Sequence, residues 1–266
     1  MNRIEERFAA LKAEGQTAFI PYITGGDPTI AISKEIILAL ADAGSDVIEL
    51  GIPFSDPVGD GPVIQHASQR ALLNHVTTRD ILDLVREVRK ESQVSILLFS
   101  YFNPILVYGI ERLAKDMAEA GADGLLCVDL PAEEAAEYKQ ILDAHGLCTV
   151  FLTAPTTSDL RLEEVARQCT GFVYYVSRLG VTGERAAMVT DLAEQVARIK
   201  RQTGKPVAVG FGISTPEHAK HVAGMAEGVV VGSAIVRLIG EKAGAADTAA
   251  AVHAFVEPLV KATKGR

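Results

Sequence analysis

The stretch 46–62, DVIELGIPFSDPVGDGP, holds two carboxylates in unlike settings. Glu49 falls at the end of an apolar run that reads as a strand, Val47–Leu50. Alternation puts it on one face with Val47 and opposite Ile48 and Leu50. A carboxylate there is costly to bury unless it is paired or put to use, and the use open to it is proton transfer. Asp60 follows in a segment that cannot continue a strand, with Gly51, Pro53, Pro57 and Gly59 before it and Gly61-Pro62 after it. A structural glutamate and a turn-forming Asp-Gly account for this stretch equally well when it is taken alone.

Three further segments could hold an anion. Gly210-Phe211-Gly212-Ile213, Gly232-Ser233 and the polar run Ser177-Arg178-Leu179-Gly180-Val181-Thr182-Gly183 each combine glycine with free backbone N–H groups near a predicted helix start. Each is also an ordinary glycine turn when read singly; Gly183, Gly212, Gly232 and Ser233 together favour a phosphate. With a formal net charge of −8, that phosphate is expected to be held by local backbone amides. The same charge argues against a nucleic-acid or anionic-membrane partner, which needs a basic footprint. His218 and His221 share a helix face, but with no third ligand nearby they read as a solvated surface and not a metal site. Cys127, Cys148 and Cys169 lack metal-ligand spacing and fit reduced, partly buried thiols of a cytoplasmic protein. The acid-bearing amino terminus reads as an amphipathic helix and not a secretory signal, and no apolar run reaches the length of a membrane span.

The elements that must position these groups alternate throughout the 266 residues. Strands are predicted at Ala18–Ile23, Val47–Leu50, Ser95–Phe99, Gly124–Val128, Thr149–Leu152, Phe172–Val176, Val207–Val209 and Gly228–Val231. All are short and mostly apolar, as parallel strands buried on both faces are. Helices are predicted near 29–43, 62–73, 79–91, 110–119, 132–145, 159–168, 189–202 and 215–223, with two more near 233–243 and 247–263. Gly44 and Gly121 suit left-handed helix ends, Pro131 and Pro216 suit helix starts, and Ser214 with Glu217 matches a capping box. The pattern predicts a single-domain α/β (β/α)8 TIM barrel spanning 1–266, with an extra N-terminal helix and extra helices after strand eight. Active sites of such barrels lie where strands end and helices begin, which is where Glu49 and the three glycine segments fall.

The chain resembles the tryptophan synthase alpha subunit family along essentially its whole length. The matching motifs are PYITGGDP at 21–28, ELGIPFSDPVGDGP at 49–62, YFNPI at 101–105, DLP at 129–131, SRLGVTG at 177–183, GFGIS at 210–214 and GSAIV at 232–236. The resemblance implies retro-aldol cleavage of indole-3-glycerol phosphate to indole and glyceraldehyde 3-phosphate, with no metal or organic cofactor. It assigns general acid–base catalysis to Glu49, stabilisation of charge at the indole nitrogen to Asp60, and a nearby strand-six tyrosine to Tyr174, from which Tyr175 differs by a single step of register. It implies phosphate binding by Thr182, Gly183, Gly210, Gly212, Ile213, Gly232 and Ser233. The expected indole pocket is Tyr22, Phe99, Leu126, Val128, Leu152 and Phe211, residues that would equally serve as barrel core.

A partner is implied as well: a beta subunit carrying pyridoxal phosphate, joined in an alpha2-beta2 heterotetramer and receiving indole directly. Pro53, Phe54, Asp56, Asn103, Pro104, Asp129 and Pro131 match the family's partner-facing surface. Tyr22, where Phe is usual, and the bulky Leu179 depart from the pattern. Two other readings stand beside this one: a catalytically weak phosphate-binding barrel that acts mainly as an allosteric partner of the beta subunit, and a different phosphosugar barrel enzyme such as an isomerase. Intact Glu49 and Asp60 argue against the first. An isomerase of that kind is expected to place paired acids on different strands, whereas these flank one loop.

Overall fold

Strands that carry apolar residues on both faces must be covered on both, and a barrel ringed by helices does this. In the computed structural model, which describes residues 2–177, 185–210 and 212–265 and omits the side chains of 185–191, eight parallel strands close in sequence order. They are β1 (Ala18–Thr24), β2 (Val47–Gly51), β3 (Ser95–Ser100), β4 (Gly124–Cys127), β5 (Cys148–Thr153), β6 (Val173–Val176), β7 (Val207–Gly210) and β8 (Gly228–Val231). β8 pairs with β1 to shut the ring.

The surrounding helices are α1 (Arg3–Ala13), α2 (Ile30–Asp42), α3 (Pro62–Leu73), α4 (Thr78–Arg89), α5 (Phe102–Tyr108), α6 (Ile110–Ala120), α7 (Ala136–Ala144), α8 (Asp159–Gln168), α9 (Arg185–Thr203), α10 (Pro216–Ala223), α11 (Ser233–Glu241) and α12 (Thr248–Thr263). The predicted extra N-terminal helix is α1, and the extra helix after β8 is present because both α11 and α12 follow it.

Strand alternation divides the apolar residues into two layers. Ile20, Val47, Leu97, Leu126, Val150, Phe172, Ala208 and Val230 fill the inside of the barrel. Phe19, Ile48, Leu50, Ile96, Leu98, Leu125, Val207 and Val229 point outward and pack under the helices. α1 covers the end of the barrel where the strands begin, inserting Ile4, Phe8 and Leu11 into the inner layer, with the Phe8 ring 5.2 Å from that of Phe172. Asn2 caps α1 in a capping box with Glu5 and ties it to the barrel floor through the carbonyls of Asp123 and Gly146. With that end plugged, the interior of the barrel opens at the opposite mouth.

Local expectations fail in three places. The segment around Asn103-Pro104 forms α5, which periodicity did not reveal. Tyr101 at its N-cap supplies no side-chain cap; the carboxylate of Asp129, from the end of β4, accepts the Phe102 N–H at 2.7 Å instead. Pro104 sits in the first turn, where its missing N–H is harmless. Pro131 opens a 3-10 turn, Ala132–Glu134, and α7 starts only after it. At α10 the cap is Thr215, which accepts from the His218 N–H at 3.3 Å, and not the expected Ser214–Glu217 pair.

Candidate active site

Glu49 lies on the inner face of β2, one step below the mouth and 1% exposed. In register it stands beside Tyr22 on β1 and Leu97 on β3. Its Oε1 is buried without a hydrogen-bond partner. Among the described residues no cation offsets the loss of water, and burial pushes its carboxyl up to about 8. A glutamic acid with that affinity for protons gives up and regains one near neutral pH, which a surface glutamate does not.

Tyr174 settles the register question on β6. Its ring packs with the inner layer, and the Glu49 carboxylate is among the charges that raise its hydroxyl's pKa after burial, the largest cause. Tyr175 points outward into the helix-facing layer. Glycines make the room: a Cβ at Gly210 would run into the Tyr174 hydroxyl, and one at Gly51 into that of Tyr22. The extra hydroxyl of Tyr22 therefore has a place over Gly51, 3.4 Å from the Thr24 Oγ1.

Asp60 hangs over this pocket from the loop between β2 and α3. Burial raises its carboxyl's pKa, and the Tyr101 hydroxyl facing it partly offsets the rise. The same hydroxyl accepts the Gly59 N–H at 2.9 Å, and the Tyr101 ring lies 5.4 Å from that of Phe54. Tyr101 thus pins both halves of the loop. Its place among the site's supports was not foreseen, although an aromatic just past the end of a barrel strand was the available signal.

Together these residues enclose a cavity of about 300 Å³ at the mouth. Glu49 and Asp60 line it with Tyr22, Phe99, Val128, Leu152 and Tyr174, and Gly212, Ile213, Gly232 and Ser233 line its other end. The Tyr22 and Phe99 rings meet edge to face, 5.1 Å apart. Two expected residues fall elsewhere. Leu126 is fully buried in the inner layer below the cavity, because it is still on β4, whereas Val128 lies past the end of that strand. Gly210 is not in the lining either; it forms the bed of Tyr174. Thr182, Gly183 and Phe211 lie outside the described residues, as does Leu179.

At the glycine-rich end, α11 begins at Ser233 with Gly232 as its N-cap and no capping side chain. The first N–H groups of a helix have no partner within it, so this start is open to an anion. Gly212, at φ 76°, takes a conformation that side chains rarely adopt. On the rim, Asp56 and Asn103 are exposed, while Phe54 and Pro104 are half-buried. Pro53 is buried within the chain and Pro131 half-buried, so Pro53 does not itself present a face to a partner. Asp129 is exposed, yet it is already engaged at the start of α5. His218 and His221 are exposed on α10, and among the described residues no cluster of three potential ligands could hold a metal.

Fold and pocket together define a (β/α)8 barrel with an acid-bearing cavity at its mouth. A sequence profile of the tryptophan synthase alpha chain family matches residues 8–264. The alpha chain of Geobacter sulfurreducens is 51% identical over 262 residues, covering 98% of this chain and 99% of that one. That of Solibacter usitatus is 48% identical, covering 97% of each. The crystal structure of the alpha subunit from Legionella pneumophila str. Paris superposes with a TM-score of 0.92 at 40% identity, over 99% of this chain and 98% of that one. A Mycobacterium tuberculosis tryptophan synthase structure gives 0.89 at 34%, over 99% and 98%. The chain belongs to the tryptophan synthase alpha chain family. It is a carbon–carbon lyase that cleaves indole-3-glycerol phosphate to indole and glyceraldehyde 3-phosphate in tryptophan biosynthesis.

Proposed function

We propose that Glu49 moves the protons of this cleavage and that Asp60 and Tyr174 complete the acid–base site. The bond to be broken joins carbon three of the indole ring to a hydroxyl-bearing carbon of the glycerol chain. Protonating carbon three makes the ring an electron sink, and removing the proton of the neighbouring hydroxyl lets the bond electrons flow into it. Indole and an aldehyde result, and no electron is gained or lost overall. Glu49, protonated near neutral pH because its carboxyl is held near 8, gives its proton to carbon three. The carboxylate that remains takes the hydroxyl proton, which restores the acid.

Asp60 faces the ring nitrogen, whose N–H turns acidic as positive charge spreads through the protonated ring. A carboxylate held in place there stabilises that charge before any solvent can reorganise. The Tyr174 hydroxyl shares the cavity with Glu49, whose charge raises its pKa after burial, and would help to position it once substrate is bound. The ring lies among Tyr22, Phe99, Val128 and Leu152, and the phosphate rests on the backbone at Gly212, Ile213, Gly232 and Ser233, with Thr182 and Gly183 closing from the loop after β6. The chain's own residues carry the step without metal or organic cofactor. The alpha-chain family implies a beta-chain partner, in an alpha2-beta2 heterotetramer whose beta subunit holds the pyridoxal phosphate and receives the indole. Phe54, Asp56, Asn103 and Pro104 form the face turned to it. A biosynthetic role and buried free cysteines support a cytoplasmic location; no helix among the described residues is long and apolar enough to cross a membrane.

The observation that carries the assignment is the buried Glu49 carboxyl with no partner at Oε1. The experiment is a pre-steady-state assay of indole release by the parent protein and by Glu49→Gln, with and without a beta subunit. Glu49→Gln keeps the shape and the ligand but cannot pass a proton. Indole release by Glu49→Gln within a few-fold of the parent would remove Glu49 from the reaction.

A further inference from the structure

The amide-only account of the phosphate end leaves out one side chain. Arg237 on α11 lines the cavity together with Ser233 and Ala234. Side chains of a helix lean toward its N-terminus and cover the turn before their own Cα. Arg237 is one turn on from Ser233, so this lean directs its side chain toward the open helix start. Among the described residues it is the one cation in the cavity lining, which otherwise holds the carboxyls of Glu49 and Asp60. It has neither a hydrogen bond nor an ion pair with any other described residue. Other arginines around the barrel are engaged: Arg70, for example, holds Asp27 through two bonds of 2.8 Å.

Its position also runs against the helix's own field. The N-terminal half of a short helix is electropositive and favours acids. The first turn of α11 contains no acid and no capping side chain, and Arg237 follows one turn later on the cavity side. An arginine with no partner among the described residues, on the pocket side of an electropositive helix start, is stabilised when an anion fills the space between them. The need is real for this chain, because a dianionic substrate must approach a protein of net charge −8 and enter a pocket with two carboxyl groups.

We infer that Arg237 is a substrate-binding and specificity-determining residue, supplying the charged contact to the substrate's phosphate and the preference for the phosphorylated over the unphosphorylated chain. The inference rests on the reading that the phosphate lies at the start of α11. Arg237 takes no part in the proton transfers, so its loss acts on affinity and not on the chemical step.

The test measures binding of glycerol 3-phosphate, of glycerol and of indole by calorimetry, together with kcat and KM for indole-3-glycerol phosphate. The proteins are the parent, Arg237→Met, Arg237→Lys and Ser233→Asp. Arg237→Met keeps the apolar stem on an exposed helix face, and Ser233→Asp places an acid where a helix start tolerates one; thermal melts confirm that each is folded. Arg237→Met is expected to weaken glycerol 3-phosphate by roughly tenfold, to raise KM by a similar factor and to flatten the dependence of binding on salt. Indole affinity stays as in the parent, and Arg237→Lys recovers most of the loss. Ser233→Asp removes glycerol 3-phosphate binding. If Ser233→Asp has that effect while Arg237→Met binds glycerol 3-phosphate like the parent, the phosphate position stands and the role of Arg237 is overturned. If Ser233→Asp also binds it like the parent, the phosphate lies elsewhere and both readings fail.

Discussion

The two ends of the barrel treat buried acids in opposite ways. At the floor, Asp46 and Asp123 are 3% and 2% exposed, and every bond they need is made. Asp46 accepts from Arg7 Nε at 2.7 Å, Lys264 Nζ at 3.0 Å and the Phe19 N–H at 2.7 Å. Asp123 accepts from Arg3 at 2.7 Å, from Arg89 at 2.8 Å and from the Ile96 N–H at 2.8 Å. These acids fasten α1 and the chain's last residues to the strands. At the mouth, Glu49 is buried just as deeply and has no cation among the described residues. Burial by itself therefore says little about the role of an acid here. A buried acid with its partners in place is part of the scaffold, whereas one without them is held ready to exchange a proton.

The largest effect expected from breaking this contrast is at Glu49. Glu49→Gln should lower turnover by about 10² to 10⁴ while the protein melts no lower than the parent, because a neutral amide relieves the burial of a carboxyl. Asp46→Asn should do the reverse. It unpairs Arg7 and Lys264 and is expected to destabilise the fold by about 3 kcal/mol, the low end of the range for a broken buried pair, since Arg7 is 37% exposed. Turnover per folded molecule should stay within about twofold of the parent. Chemical denaturation and indole assays on the same preparations compare the two. An Asp46→Asn protein of parental stability would show that the floor's ion pairs are idle.

The pH dependence sharpens the contrast further. The folded-state pKa of Glu49, about 8, lies above its ordinary value of 4.5. The acid form is the one the fold favours, so this group's contribution to stability is complete below about 4.5 and is lost as pH rises through 8. Relative to the parent, Glu49→Gln should gain stability between those pH values, on the order of a few kcal/mol by pH 9, and the two should converge near pH 4. kcat/KM of the parent should fall above about 8 as the general acid ionises. Melting curves that differ by a constant amount from pH 4 to pH 9 would show that Glu49 is not held protonated.

A smaller effect is expected on β6, where two adjacent tyrosines face opposite layers. Tyr174→Phe should lower kcat/KM by several-fold to about tenfold, the order of one hydrogen-bonding hydroxyl. Gly210→Ala should imitate it by displacing that hydroxyl. Tyr175→Phe should leave kcat/KM near the parental value and act, if at all, on stability. Equal losses of kcat/KM at both tyrosines would mean that side of the barrel does not orient Glu49.

Much of this protein was determined by local sequence. Strand and helix order, the inward face of Glu49, the loop that carries Asp60 and the glycines at the other end of the cavity follow from periodicity, turn chemistry and motif spacing, because each depends on residues a few positions apart. Only the tertiary structure decided which acids are paired. Asp46 meets Lys264 and Asp123 meets Arg3, from opposite ends of the chain, and nothing near Glu49 in the sequence reveals that no such cation among the described residues reaches it. Pocket depth was decided the same way: Leu126 and Val128 share a face, yet β4 ends between them, so one is core and the other lines the cavity. Asp129 at the start of α5, Tyr101 against the Asp60 loop and Arg237 over its own helix start belong with them. Each joins elements, or the end of an element and a cavity, that meet only once the barrel has closed. Local pattern sets which way a side chain faces, and the closing of the ring sets what stands there to meet it.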